Sequence, residues 1–308
     1  MKIPFERTIS SAYRFTFTNI LSIIGIGWFP YLLFGVLAAA VLYNFGPHLL
    51  EMFSTMGGKP DPSKLRGFLT ALFSAEAILI PAVLAVSAMV TVGLMRKALG
   101  QHPGPVFVFF SLGSQVWRLI GSYFLVMLLG MGMIIAVAGG VALIWFALDK
   151  FAKPAEVPIT VLLVIAAYIW FIYAIVRVYF FLPAVVVAEN HIGIRRSWHL
   201  GGGNFWRIVG IWLIVTIPVG LAAQTIETSI LQMAGGSMML QPGATPDEIK
   251  HFVPAMLDAL RRVWPYLAVV YLFHVVIAAG LTAGAIANAY NLVTGGDDIA
   301  PPPAKVPA

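Results

Sequence analysis

The sequence predicts an all-α, polytopic helical membrane protein with six transmembrane helices, arranged as three hairpins with interfacial amphipathic segments. Of its 308 residues, 60% are hydrophobic and only 10% are charged, whereas soluble domains carry about 25% charged residues. Six long apolar segments alternate with short polar or Pro- and Gly-containing connectors. Lipid must therefore be the solvent for most of the surface of this protein.

Composition excludes several classes of function. The chain contains no cysteine, which rules out disulfides, thiol catalysis and cysteine-ligated metals. Its formal charge of +6 comes from basic residues spread through short loops, so we expect no nucleic-acid partner. No metalloprotease, nucleotide-binding or serine-hydrolase motif occurs. We therefore expect a protein that is not an enzyme and that holds no cofactor or metal.

Before the first span, Phe5, Ile9, Tyr13 and Phe17 recur every fourth residue and form one stripe on a helix. This pattern predicts an amphipathic helix on the cytoplasmic face of the membrane, with a frayed tail as the alternative. The six spans then follow at residues 20–43, 68–94, 116–148, 157–176, 205–223 and 264–292.

The lengths of the spans set further expectations. The third span has 33 residues, or roughly 50 Å against a hydrocarbon core of about 30 Å, so it must tilt, kink or protrude. Arg177 and Pro183 predict that the fourth span ends near residue 177 and that the apolar residues up to 188 lie at the interface. We expect one membrane domain, residues 1–294, with hairpins at about 1–99, 100–188 and 189–294, and a disordered Pro-rich tail, 295–308.

Charge distribution predicts the orientation. Six spans place both termini on one side, which carries eleven Lys and Arg residues against eight on the other. By the positive-inside rule, both termini are expected in the cytoplasm.

The starts of the odd-numbered spans resemble one another. They read NILSIIG at 19–25, QVWRLIG at 115–121 and NFWRIVG at 204–210. Residues 62–81 also match residues 246–265 at a constant offset of 184. This pattern predicts an internal repeat in which spans 1–2 are duplicated as spans 5–6, with spans 3–4 as a diverged middle unit.

The densest cluster of basic and aromatic residues joins the fourth and fifth spans. Arginine suits bidentate phosphate contacts, and tryptophan prefers the headgroup level. The cluster is therefore a candidate site for anionic lipid headgroups, with an ordinary positive-inside anchor as the alternative. Its members are Arg177, Arg195, Arg196, Trp198, Trp206 and Arg207.

Within this cluster, the order of residues resembles a known pattern. The pattern comprises Leu182-Pro183, Glu189, Arg196-Ser197-Trp198, Gly203-Asn204 and Phe205-Trp206. It resembles uncharacterised bacterial six-helix integral membrane proteins and is similar to the membrane domain of some glycerophosphodiester phosphodiesterases. The triple glycine at 201–203 departs from the usual single glycine. With no phosphodiesterase domain attached, the resemblance implies a stand-alone module of the bacterial inner membrane and no activity.

Two further sets of residues are candidates for function. Glu76 and His274 fall within spans, and Glu227 follows one, so they are candidate intramembrane polar groups or interfacial residues. Gly280 and Gly284 form a small-residue face that suits either packing within the chain or a homodimer.

Together these patterns favour a non-enzymatic inner-membrane protein that binds anionic lipid or a protein partner in envelope maintenance. The alternatives are a small-solute or ion transporter or channel and, with least support, an enzyme acting on lipids. The sequence leaves the partner and the oligomeric state open.

Overall fold

A computed structural model describes residues 2–55, 62–151, 156–233 and 246–295. The described chain is almost entirely helical and contains no β-strand, which confirms the predicted all-α class. Its helices are α1 (Phe5–Thr18), α2 (Ile20–Thr55), α3 (Pro62–Ala98), α4 (Ser114–Phe151), α5 (Glu156–Tyr179), α6 (Leu182–Glu189), α7 (Ile194–Leu200), α8 (Phe205–Met233) and α9 (Pro246–Thr294).

Six helical segments of the described chain are long and apolar enough to cross a membrane, as predicted. They are Ile20–His48, Pro62–Ala98, Ser114–Phe146, Val157–Glu189, Phe205–Met233 and Asp258–Thr294. The helices extend beyond the apolar runs because hydropathy marks only the part in lipid, while backbone hydrogen bonding continues into the polar region. The third span is one unbroken helix. The predicted disordered tail lies outside the described residues from 296 onwards.

The core lies at one end of the bundle, which we call the junction end: residues 2–26, 88–119, 176–215 and 276–295. Nearly all described buried apolar side chains belong to these ranges. Towards the opposite end, α2 pairs with α3 and α8 pairs with α9. The most apolar 18-residue stretches of α4 and of the fourth span contain no buried residue. The helices are therefore packed together at the junction end and paired as hairpins beyond it.

Helix α1 packs against α8 and α9. Three residues of the predicted apolar stripe, Phe5, Ile9 and Tyr13, are partly buried against the core. The most buried positions of α1 include Thr8, Ala12 and Thr16, which recur every fourth residue. Phe17, at the end of the predicted stripe, is 59% exposed. Small side chains suit this interface because they let the two helix backbones approach closely. The hydroxyls of both threonines donate to carbonyls four residues earlier, so neither is left unbonded.

The facing surface of α9 carries Gly280 and Gly284. A Cβ atom at Gly284 would lie 3.0 Å from the Cα of Ala12, and one at Gly280 would lie 2.9 Å from the Cγ2 of Thr16. Of the two alternatives for this small-residue face, the structure shows packing within the chain.

We expect Gly284→Leu to displace α1 and destabilise the protein, because the new side chain would meet the α1 backbone and Phe15. Overpacking of this kind costs about 1–3 kcal/mol. The control is Gly139→Leu on exposed α4, where a Cβ atom has nothing within 4 Å. Thermal unfolding in one detergent, followed by tryptophan fluorescence, measures both variants. Equal midpoints for the two variants would contradict the close contact.

Candidate functional site

Helix α6 forms the centre of the junction end. Helix α5 ends at Tyr179, close to the predicted end of the fourth span at residue 177, and α6 follows as a separate helix in which Leu182 and Val185 are fully buried. The interfacial position of these residues stays a prediction. The helix contacts α3, α4 and α9. Pro183 lies in the first turn of α6, where proline is compatible with the start of a helix. A short helix that is apolar on all sides is suited to such a buried position.

The carboxylate of Glu189 joins three elements at the end of α6. It accepts hydrogen bonds from Arg196 Nε at 3.1 Å and from the Tyr290 hydroxyl at 2.9 Å. His191 Nδ1 lies 3.8 Å from its other oxygen. These contacts connect α6 to α7 and α9, so Arg196 is engaged within the protein.

Arg177 braces α5 against α7. Its Nε donates to the carbonyl of Trp198 at 2.8 Å, and its Nη1 donates to the Tyr173 hydroxyl at 2.8 Å. The guanidinium also lies over the indole of Trp198, 4.2 Å from the ring centroid. A lysine could not make these contacts together, because they use the planar fork of arginine.

Arg177 explains why two of the three glycines at 201–203 have no side chain, and the backbone explains the third. A Cβ atom at Gly201 would lie 2.6 Å from the Arg177 carbonyl oxygen, and one at Gly202 would lie 2.8 Å from the Arg177 Nη2. Gly203 has a φ of +71°, a conformation that side chains disfavour. Each of the three glycines therefore has its own structural reason.

Arg207 holds the N-terminal segment. Its Nη1 donates to the carbonyl of Ile3 at 3.2 Å, while the Ile3 amide donates to the side-chain oxygen of Asn204 at 2.9 Å. Ile3 itself is buried. The start of α8 thus fixes the chain just before α1.

Arg195 and Trp206 differ from the other members of the predicted cluster because both face outward. Arg195 is exposed and makes no hydrogen bond or ion pair with any described residue. Trp206 is 80% exposed and meets Phe205 edge to face at 5.1 Å. Four of the six predicted residues serve the fold, and these two are accessible from outside.

Sequence reasoning missed the polar contacts at the start of α4. The Gln115 side chain accepts from Arg96 Nε at 2.6 Å and donates to the Val187 carbonyl at 3.0 Å. Arg118 donates to the Asn190 carbonyl. A signal was present, because Gln115 occupies the amide position of the repeated motif. Its counterparts Asn19 and Asn204 likewise donate to a carbonyl, although theirs lies four residues earlier and that of Gln115 lies in α6.

The three candidate polar residues of the spans, Glu76, Glu227 and His274, make no polar contact with one another. Glu76 is exposed, whereas His274 and Glu227 are half-buried. No hydrogen bond or ion pair links any of the three to another described residue. Within the described ranges, no group of three or more His, Asp or Glu side chains could hold a metal ion.

Comparison with known proteins finds no matching family model, no matching curated protein and no matching solved structure. The resemblance of residues 182–206 to six-helix bacterial membrane proteins stays a prediction.

We expect Arg177→Lys to destabilise the protein, because the Trp198 carbonyl and the Tyr173 hydroxyl would lose a partner that serves both. An unsatisfied buried polar group costs about 1–3 kcal/mol. Arg195→Lys is the matched control and should stay within about 0.5 kcal/mol of the wild type. Thermal unfolding in detergent compares the two. A larger loss for Arg195→Lys would refute the assignment of Arg177 as the brace.

Proposed function

We propose that this integral membrane protein is a non-enzymatic lipid-binding protein that holds anionic phospholipid headgroups at its junction end. The observation that carries the proposal is the difference among the arginines there. Arg177, Arg196 and Arg207 bond within the chain, whereas Arg195 is exposed and bonds no described residue. An unpaired guanidinium offers a fork of donors that matches a phosphate.

The support beneath Arg195 favours binding. Helix α7 is held on one side by the bond between Glu189 and Arg196 and on the other by the bond between Arg177 and the Trp198 carbonyl. A guanidinium on a fixed helix loses less conformational freedom on binding than one on a mobile loop. The exposed indole of Trp206 is suited to the headgroup level of a bilayer.

The positive charge of the junction end supports anionic lipid as the partner and a cytoplasmic position for this end. The described residues of this end include ten Lys and Arg but only two acids, Glu6 and Glu189. Glu189 is already bonded to Arg196. The excess positive charge supports anionic lipid as the partner. With the positive-inside rule, it also supports our proposal that both termini lie in the cytoplasm and that the protein lies in the inner membrane of a bacterium.

We also propose that the protein arose by duplication of a helical hairpin. By this duplication, the pairs α2–α3 and α8–α9 descend from one ancestral hairpin, and the pair α4–α5 is a diverged third copy. The side chains of Asn19 and Asn204 support it, since each donates to the carbonyl four residues earlier at the start of a hairpin. Gln115 occupies the same position of the motif but donates to Val187 of α6, as expected of a diverged copy.

Native mass spectrometry of protein released from mild detergent, with identification of the retained lipids, tests the proposal. We expect the wild type to retain an anionic phospholipid and Arg195→Ala to retain several-fold less. Arg261→Ala is the matched control, because Arg261 is exposed near the opposite end of α9 and bonds no described residue. It should retain lipid as the wild type does.

Arg196→Ala is left out of this comparison because it would also break the bond to Glu189. Equal lipid retention by the wild type and both variants, at equal thermal stability, would overturn the lipid-binding proposal. Selective flux of an ion or small solute through reconstituted vesicles would support a transporter instead.

A further inference from the structure

The connector between α3 and α4 contains an extended apolar segment, residues 105–112. Val106 is buried, and Phe109 is partly buried against the core. The other large apolar side chains of the segment face outward, and their exposed fractions are 72% for Phe107, 57% for Val108, 53% for Phe110 and 48% for Leu112. The segment therefore has one side on the protein and one strongly apolar side facing away from it.

Two glycines form the groove that receives this segment. A Cβ atom at Gly25 of α2 would lie 1.9 Å from the Val106 carbonyl oxygen, so only glycine permits the contact. A Cβ atom at Gly93 of α3 would lie 2.9 Å from the Phe109 ring. The segment is thus seated directly against two membrane-spanning helices.

Polar and aromatic contacts fix the segment along α2. The Val106 amide donates to the Ser22 hydroxyl at 3.3 Å, and the Trp28 indole donates to the Phe107 carbonyl at 2.7 Å. The ring of Phe110 meets that of Phe29 edge to face at 5.9 Å. Ser22 and Phe29 are seven residues apart, so the segment follows about 10 Å of the α2 axis.

The backbone of the segment limits the depth at which it can lie. The amides of Val108, Phe109 and Phe110 take part in none of the hydrogen bonds found among the described residues. Irregular backbone with unbonded amides is not tolerated where it faces hydrocarbon. Four exposed large apolar side chains would in turn be unfavourable in bulk water. Both requirements are met at the boundary between headgroups and acyl chains.

The charges at the two ends of the connector agree with that boundary. Lys97 donates to the Gly104 carbonyl at 2.5 Å just before the segment, and Arg118 follows it in the first turns of α4. Cations beside an apolar segment are suited to the phosphate level of a leaflet.

We propose that residues 105–112 are a membrane-inserted segment of the junction-end leaflet. Its backbone lies among the headgroups, and its outward side chains lie against phospholipid acyl chains. This inference does not depend on lipid binding by Arg195.

The absence of cysteine makes a direct measurement possible. Single-cysteine variants Val108→Cys and Phe110→Cys would carry a nitroxide in nanodiscs of phosphatidylcholine and phosphatidylglycerol. Collisions with oxygen and with a water-soluble nickel chelate report the depth of the label. His102→Cys, in the same connector, is the aqueous control, and Ile135→Cys, on the exposed side of α4, is the control within the membrane.

We expect labels at 108 and 110 to collide with oxygen several-fold more, and with nickel several-fold less, than the label at 102. Nickel accessibility equal to that at 102 would overturn the proposal and favour a docking strand for a protein partner. Protection from both reagents would also overturn it, because the segment would then be covered by protein.

A second pair of variants tests whether residues 105–112 are docked against α2 at Gly25. Gly25→Leu should displace the connector and raise nickel accessibility at 108 several-fold. Gly35→Leu, on the same helix with nothing within 4 Å of its Cβ position, should leave it unchanged. Unchanged accessibility in Gly25→Leu would overturn the docked geometry.

Discussion

The junction end depends on close approach between backbones at residues with little or no side chain. Lipid tails are as apolar as leucine, so the hydrophobic effect does little to hold transmembrane helices together. Dispersion contacts must supply the cohesion, and they fall off steeply with distance. Gly280 and Gly284 admit α1, Gly25 admits the connector, and Gly201 admits the α5 backbone. The packed end of the bundle coincides with these positions.

Three arginines of this end satisfy backbone carbonyls of other elements. Arg118 donates to the Asn190 carbonyl at the end of α6, Arg177 to the Trp198 carbonyl in α7, and Arg207 to the Ile3 carbonyl before α1. None of these carbonyls has a backbone partner within a described helix, because Asn190 follows α6, Trp198 lies in the last turn of α7 and Ile3 precedes α1. Each of these guanidinium groups therefore stabilises the fold by supplying a donor to a backbone oxygen of another segment.

The sequence was sufficient for the class and the number of spans because hydropathy reports directly on lipid contact. It was insufficient for α6, since Pro183 can either end or begin a helix and only the neighbouring helices decide between them. The sequence indicated only part of the buried face of α1: Phe5, Ile9 and Tyr13 do pack against the core. The fully buried positions Thr8, Ala12 and Thr16 carry little hydrophobic signal, because small size is what suits them to this contact. The state of each arginine depends on distant partners, as with Arg207 and Ile3, which local patterns do not report.

The position of α1 has a consequence for the order of assembly. This helix is synthesised before α8 and α9, yet it packs on both of them. Roughly 190 residues separate the end of α1 from the start of α8, and at about 5–20 residues per second they take on the order of 10–40 s to translate. Throughout that interval the first helix has no final binding site. Its docking can only follow the synthesis of α8 and α9, and a chain truncated before these two helices leaves the ribosome with α1 undocked.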